Sequence, residues 1–165
     1  PSPGMGLSVD GSLFASSHYL PPPRRGRRYD HFVLVRDATT GKIHATFHDC
    51  THSVSDLAFS PCGDILAGVA GPSLHIWNLA TKRQVGVKKL GKLHFQALAF
   101  TPDGRFLGTA SNDETARFWD TRTWEVATTF TWKIGRMLDI AFAPDGLRAA
   151  ASGSSGKVVV WDVDI

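Results

Sequence analysis

Within five residues the segment "HDCTH" sets His48, Asp49, Cys50 and His52 together, four groups of the kinds that ligate zinc or exchange protons. His18 and His31 add two imidazoles further up the chain. Their spacing fits no structural-zinc pattern, so no metal is expected. A second stretch, "SGSSGKV" at residues 152–158, resembles a phosphate-binding loop, but that motif needs glycine where Ala151 stands and serine or threonine at Val158. A hairpin between two strands is the plainer reading. In "ASNDETARFWD", residues 110–120, Asp113 stands six residues ahead of Trp119, which is itself followed by Asp120. The chain has neither a Gly-x-Ser-x-Gly elbow nor a His-Glu-x-x-His helix. No enzymatic activity and no cofactor are therefore expected.

The densest charge lies in "PPPRRGRRYDH", where Arg24, Arg25, Arg27 and Arg28 occupy five positions beside Tyr29 and behind a stiff triple proline. Arginine forks grip phosphates or carboxylates, so the segment suits an acidic protein or a nucleic acid. An acidic protein or peptide is the better fit, because no aromatic series accompanies the arginines as single-strand binding needs. The plainer alternative is a solvated loop that only aids solubility. "FTWKIGR" supplies a second basic-aromatic group, Trp132 with Lys133 and Arg136. Its composition is that of an interface hot spot, and packing against a neighbouring repeat is its alternative use. Trp124 falls at a turn and suggests no function.

The elements that position these groups repeat at a fixed interval. "LAFSPCGDILA" from Leu57, "LAFTPDGRFLG" from Leu98 and "IAFAPDGLRAA" from Ile140 align, with Pro61, Pro102 and Pro144 spaced by 41 and 42 residues. "LHIWNL", "ARFWDT" and "VVVWDV" place Trp77, Trp119 and Trp161 at steps of 42 and 42. A worn earlier unit contains "LSVDGSLFAS" from Leu7 and "FVLVRDATTGK", with Arg36 at the tryptophan position. Gly11 to Gly63 is 52 residues while Arg36 to Trp77 is 41, so a surplus of 11 lies between Gly11 and Arg36. An insertion at residues 18–31 accounts for it. In "LAFTPDGRFLGTAS" a Pro-Asp-Gly turn divides two short apolar runs, and β-branched and aromatic runs of strand length follow. Four strands per unit of about 42 residues describe the blade of a β-propeller.

These landmarks resemble the WD-repeat family of β-propellers. The resemblance implies a buried polar network in each blade: a tryptophan on the third strand, a Ser or Thr on the second, an aspartate in the turn between them, and a histidine in the loop before the first. It assigns Trp119, Thr109 (with Ser111 as the other candidate) and Asp113 to that network, and gives Trp77 and Trp161 the tryptophan role elsewhere. Asp113 is then expected to close a turn rather than take part in a reaction. The histidine is missing near Gly91, with His94 close by, and Gly71 and Ser155 hold the aspartate positions of two other units. Blades with incomplete networks are expected to lean on apolar packing. Family geometry also brings the loops before first strands to the side where second strands turn into third ones. That puts the insertion, "HDCTH" and Trp132 on one side.

The expected architecture is all-β, about three and a half to four blades of four antiparallel strands. Blade 1 covers about 5–50, blade 2 about 53–90, blade 3 about 94–131 and an incomplete blade 4 about 136–165. Blade 1 is expected to start near its second strand. Unclosed rows of blades expose apolar faces, so a fragment or half-ring is expected, completed by a longer parent chain or by a second copy. The resemblance implies a non-catalytic interaction scaffold for protein or peptide partners. A nucleic-acid scaffold using residues 24–28 is the alternative, as is a regulatory portion of a larger protein.

Composition agrees with a folded domain: of 165 residues, 42% are hydrophobic and 20% charged. A net charge of +3 is too small by itself to imply a nucleic-acid or membrane partner, and no run of about 18 apolar residues exists. The start "PSPGMGLSVDG" has no secretion signal and no initial methionine, as expected of a piece of a longer chain. The expected compartment is the cytoplasm. Two cysteines make no disulfide framework, and Cys50 and Cys62 are expected about 20 to 30 Å apart.

Overall fold

The computed structural model describes residues 4–21, 29–89, 91 and 93–164. Every regular element among them is a strand. In chain order these are β1 (Met5–Leu7), β2 (Leu13–Leu20), β3 (Asp30–Asp37), β4 (Ile43–Cys50), β5 (Asp56–Phe59), β6 (Ile65–Ala70), β7 (Ser73–Asn78), β8 (Arg83–Lys89), β9 (Phe95–Phe100), β10 (Phe106–Ser111), β11 (Thr115–Asp120), β12 (Val126–Thr131), β13 (Met137–Phe142), β14 (Arg148–Gly153) and β15 (Val158–Asp162). They form antiparallel sheets ordered β1-β2-β3-β4, β5-β6-β7-β8, β9-β10-β11-β12 and β13-β14-β15. The chain divides into two compact units, Pro1–Lys89 with the first two sheets and Leu90–Ile165 with the others.

The proline-glycine segments form hairpins because each residue supplies the backbone its turn needs. Gly104 adopts a φ of 71°, a region open to glycine at little cost. The Thr101 hydroxyl donates to Asp103 at 2.6 Å, and Asp103 accepts the Arg105 N–H at 3.0 Å, which ties the turn locally. The strands then alternate. In β3, Val33 and Val35 are buried while Phe32 and Leu34 are not, as a sheet with one packed face requires.

Two features depart from the sequence expectation. The first sheet has all four strands: β1, only three residues long, pairs Met5 with Ser16 and Leu7 with Phe14. Its sequence carries no strand pattern, because Gly4 and Gly6 serve close backbone approach instead. Gly4 N–H donates to the Val54 carbonyl at 3.0 Å, and a Cβ on Gly6 would sit 2.7 Å from the Leu57 carbonyl oxygen. The insertion, moreover, is not loop throughout. His18, Tyr19 and Leu20 prolong β2, and Asp30 and His31 prolong β3, with Tyr19 paired to His31 and Leu20 to Asp30.

In the first unit the sheets meet through Val33, Val35 and Phe47 on one side and Leu57, Leu66 and Trp77 on the other. Phe47 stacks on Trp77 with centroids 5.3 Å apart. In the second unit Phe118 is the centre. Phe130 and Phe142 meet it edge-on at 5.2 and 5.3 Å, and Trp161 is tilted at 6.3 Å. Such pairs add about 0.5–1.5 kcal/mol each beyond the area they bury.

Gly68 shows how tight this packing is. A Cβ there would lie 2.8 Å from Leu57 Cδ2 and 2.9 Å from Trp77 Cζ3. Gly68→Ala is accordingly expected to destabilise the first unit by about 1–3 kcal/mol, measured as a fall in its urea midpoint at unchanged m-value. An unaltered midpoint would mean that Leu57 and Trp77 yield freely.

Candidate interaction surface

In the third sheet the indole Nε1 of Trp119 on β11 donates to Thr109 Oγ1 on β10 at 3.0 Å. Ser111 is used differently, its hydroxyl donating to the His94 carbonyl at 3.0 Å. Asn112 strengthens the same tie, because the His94 N–H donates to its Oδ1 at 2.9 Å while its own N–H donates back to the His94 carbonyl. The main chain of His94 thus fastens the loop before β9 to the turn after β10. Asp113 accepts from the Thr115 hydroxyl at 2.6 Å and from Arg117 at 2.6 Å, an ion pair with both side chains mostly shielded. Burial opposes its ionisation, but the Arg117 and Thr115 hydrogen bonds outweigh it and hold the carboxyl below its ordinary range. Arg117 and Asn112 escaped sequence reasoning, since neither carries a spacing signal beyond polarity near a turn.

The other sheets handle the equivalent position differently. Trp119 faces Leu107 across the strands, Trp77 faces Leu66 and Trp161 faces Ala149, so Gly68 and Ala151 stand where Thr109 does. Neither has a hydroxyl, and Nε1 of both Trp77 and Trp161 is buried without a hydrogen-bond partner. Trp77 turns the edge of its six-membered ring toward Gly68. His75 stacks on it at 5.5 Å and 10°, with Nδ1 2.8 Å from Gln84 Oε1 and Nε2 unpartnered. Burial lowers the pKa of His75, which is 2% exposed. In the last sheet the Ser155 hydroxyl donates to the Ile134 carbonyl at 2.8 Å.

The "HDCTH" residues scatter. His48 stacks on Phe32 at 5.2 Å and its Nδ1 lies 3.2 Å from Asp30 Oδ2, whereas His52 turns toward Gly71. Cys50 closes β4 as a buried free thiol, its pKa pushed up to about 12 by burial and by Asp49 and Asp30, so it is unreactive near neutral pH. Among the described residues no three His, Cys, Asp or Glu converge to hold a metal ion.

Arg24, Arg25, Arg27 and Arg28 lie outside the described residues. Tyr29 is described, and stands in a cluster the sequence did not disclose. Its ring is 5.7 Å from Tyr19 and 6.2 Å from His31, and Tyr19 is 6.4 Å from His31. On the other face of the hairpin His18, Phe32 and His48 form a continuous stack. In the second unit Trp132 is half-buried, stacked on Phe130 at 5.6 Å and against Trp161 at 4.4 Å, while Lys133 and Arg136 are exposed. Trp124 holds a turn at φ 57°.

Residues 41–78, 91–120 and 126–162 match the WD domain, G-beta repeat family (WD40). The chain is similar to the "Target of rapamycin complex subunit wat1" of Schizosaccharomyces pombe, 27% identical over 137 residues that are 82% of this chain and 43% of that protein. It is similar to the "Guanine nucleotide-binding protein subunit beta-like protein 1" of Mus musculus, 30% identical over 98% of this chain and 50% of that protein. A third relative is the "Periodic tryptophan protein 2 homolog" of Neurospora crassa, 33% identical over 67% of this chain and 13% of that protein. The chain spans half or less of the length of these relatives.

Thr109→Val keeps the shape of the side chain but leaves the Trp119 N–H unpaired, and is expected to cost about 1–3 kcal/mol in denaturant unfolding. A Thr109→Ser variant that matched the valine variant would show that the hydroxyl is irrelevant. His75 yields a pH dependence. Above about pH 6.5 it is neutral folded and unfolded; below that the unfolded chain takes up the proton first, so stability falls as pH drops toward the lowered folded pKa. The slope is at most about 1.4 kcal/mol per pH unit. Urea midpoints at successive pH values should show this loss in the parent chain and a flatter profile in His75→Gln.

Proposed function

Because the chain belongs to the WD40 family of WD-domain, G-beta repeats, we propose that it acts as a non-catalytic scaffold whose rigid blades present loops to protein or peptide partners. The match of three successive repeats is the observation that carries this reading. One relative, by its name a subunit of the target of rapamycin complex, supports it. Sheets pinned by turn hydrogen bonds and buried rings hold loops in fixed positions, which lowers the entropy lost when a partner docks.

The partner in this proposal is acidic and the compartment is the cytoplasm. Arg24, Arg25, Arg27, Arg28 and Tyr29 form one contact region. Trp132, Lys133 and Arg136 form a second, with the two exposed cations flanking a ring that packing already holds in place. Arginine supports the reading because its planar fork pairs with carboxylates at little ordering cost.

Replacing the four arginines together by alanine is expected to weaken binding of a labelled polyglutamate peptide by about fourfold or more, from about 0.2–1 kcal/mol per exposed pairing. The thermal midpoint should not move. Fluorescence anisotropy at about 50 and 200 mM salt checks both affinity and its ionic origin. Equal affinity for parent and variant would remove this segment from the contact.

A further inference from the structure

We propose that Tyr19, Tyr29 and His31 form a docking platform for one aromatic or large apolar side chain carried inside an acidic peptide segment; this rests on the acidic-partner reading above. The first sheet is the one with a prolonged hairpin. β2, β3 and β4 have eight residues each, against six in β6, β7, β10 and β11. The added length carries Tyr19 and His31 as a cross-strand pair. Tyr29, two residues before His31, falls on the same side of the hairpin and completes the trio.

These are the two tyrosines of the chain, and they keep 62% and 53% of their surface open, with Leu20 beside them 53% open. Large rings grouped yet exposed, next to arginine in sequence, have the composition of an interface hot spot. The opposite side of the hairpin makes the platform rigid. There His18, Phe32 and His48 are stacked, Ser16 Oγ meets His18 Nε2 at 2.9 Å, and Asp30 is engaged by His48. A ligand therefore meets rings already fixed in place, which spares ordering entropy.

Charge selects the rest of the partner. From Gly11 to Tyr29 the sequence holds four arginines and no acid, and Asp30, the next carboxylate, is the one His48 engages. Four arginines next to Tyr29 in the sequence favour a segment with carboxylates around its anchor. Ring geometry favours a peptide over single-stranded nucleic acid. The rings lie at 76°, 54° and 32° to one another in one cluster, a compact group suited to one side chain. Successive bases need faces arrayed along a strand.

The test uses the 165-residue chain and three labelled probes: a twelve-residue polyglutamate peptide with a central tryptophan, the same peptide with alanine at the centre, and a twelve-nucleotide oligouridylate. The parent chain is expected to bind the tryptophan peptide about fivefold more tightly than the alanine peptide. Tyr19→Ala/Tyr29→Ala should lose that preference while keeping the salt dependence of both peptides, and Tyr19→Phe/Tyr29→Phe should retain it. Equal affinity of the parent chain for the two peptides would overturn the platform and leave the acidic-partner reading standing. Failure of both peptides to bind would overturn that reading and the platform with it. Oligouridylate binding more tightly than either peptide would overturn the choice of partner class. The preference of the parent chain decides the matter even where the double alanine variant is unstable.

Discussion

A twisted antiparallel sheet of four short strands cannot bury its own apolar face, and everything else in this protein follows from the need to cover that face with another sheet. The pairing is close because backbone comes within reach of rings. Gly68 lies against the edge of the six-membered ring of Trp77, and Gly108 lies against Phe142 and Ile140 at distances that leave no room for a Cβ. Phe118 does the same work in the second unit from the centre of an aromatic cluster. The unit of stability is thus a pair of sheets rather than a strand, a pattern known from repeat proteins.

Polar groups are subordinate to that packing. The Trp119–Thr109 hydrogen bond is made in one sheet, whereas Trp77 and Trp161 bury their N–H groups unpaired. Magnitudes explain how this is tolerated. Burying about 200 Å² of an indole at about 25 cal/mol/Å² contributes about 5 kcal/mol, which exceeds the roughly 1–3 kcal/mol cost of one unsatisfied donor. The incomplete blades therefore remain folded, with apolar contact carrying more of the load. Asp113 shows the local use of charge: its ion pair with Arg117 shapes the turn between β10 and β11.

The proposed recognition surface begins where packing ends. The hairpin of the first sheet runs past the length that sheet pairing needs, and there the side chains are large, aromatic and exposed. A rigid blade holds that hairpin from below through the stacked His18, Phe32 and His48. Such a division, a rigid scaffold with recognition at loops and edges, is common among folded domains.

Much of the fold was legible in the spacing of prolines, glycines and tryptophans. Those residues act locally: a turn needs proline or a positive φ at a given position, and a strand needs side chains at every second residue. The hairpin at the Pro102-Asp103-Gly104 turn and the hairpin at residues 152–158 followed from such local rules. β1 did not, because Gly4 and Gly6 serve an approach to Val54 and Leu57 that lies some fifty residues away in the chain. The partner of Asp113 and the meeting of Tyr19, Tyr29 and His31 were equally invisible, whereas the packing of Trp132 on Trp161 of the next sheet is the alternative its sequence context offered. Each depends on which rotamer a side chain takes once distant backbone surrounds it, and periodicity in one dimension holds no record of that choice.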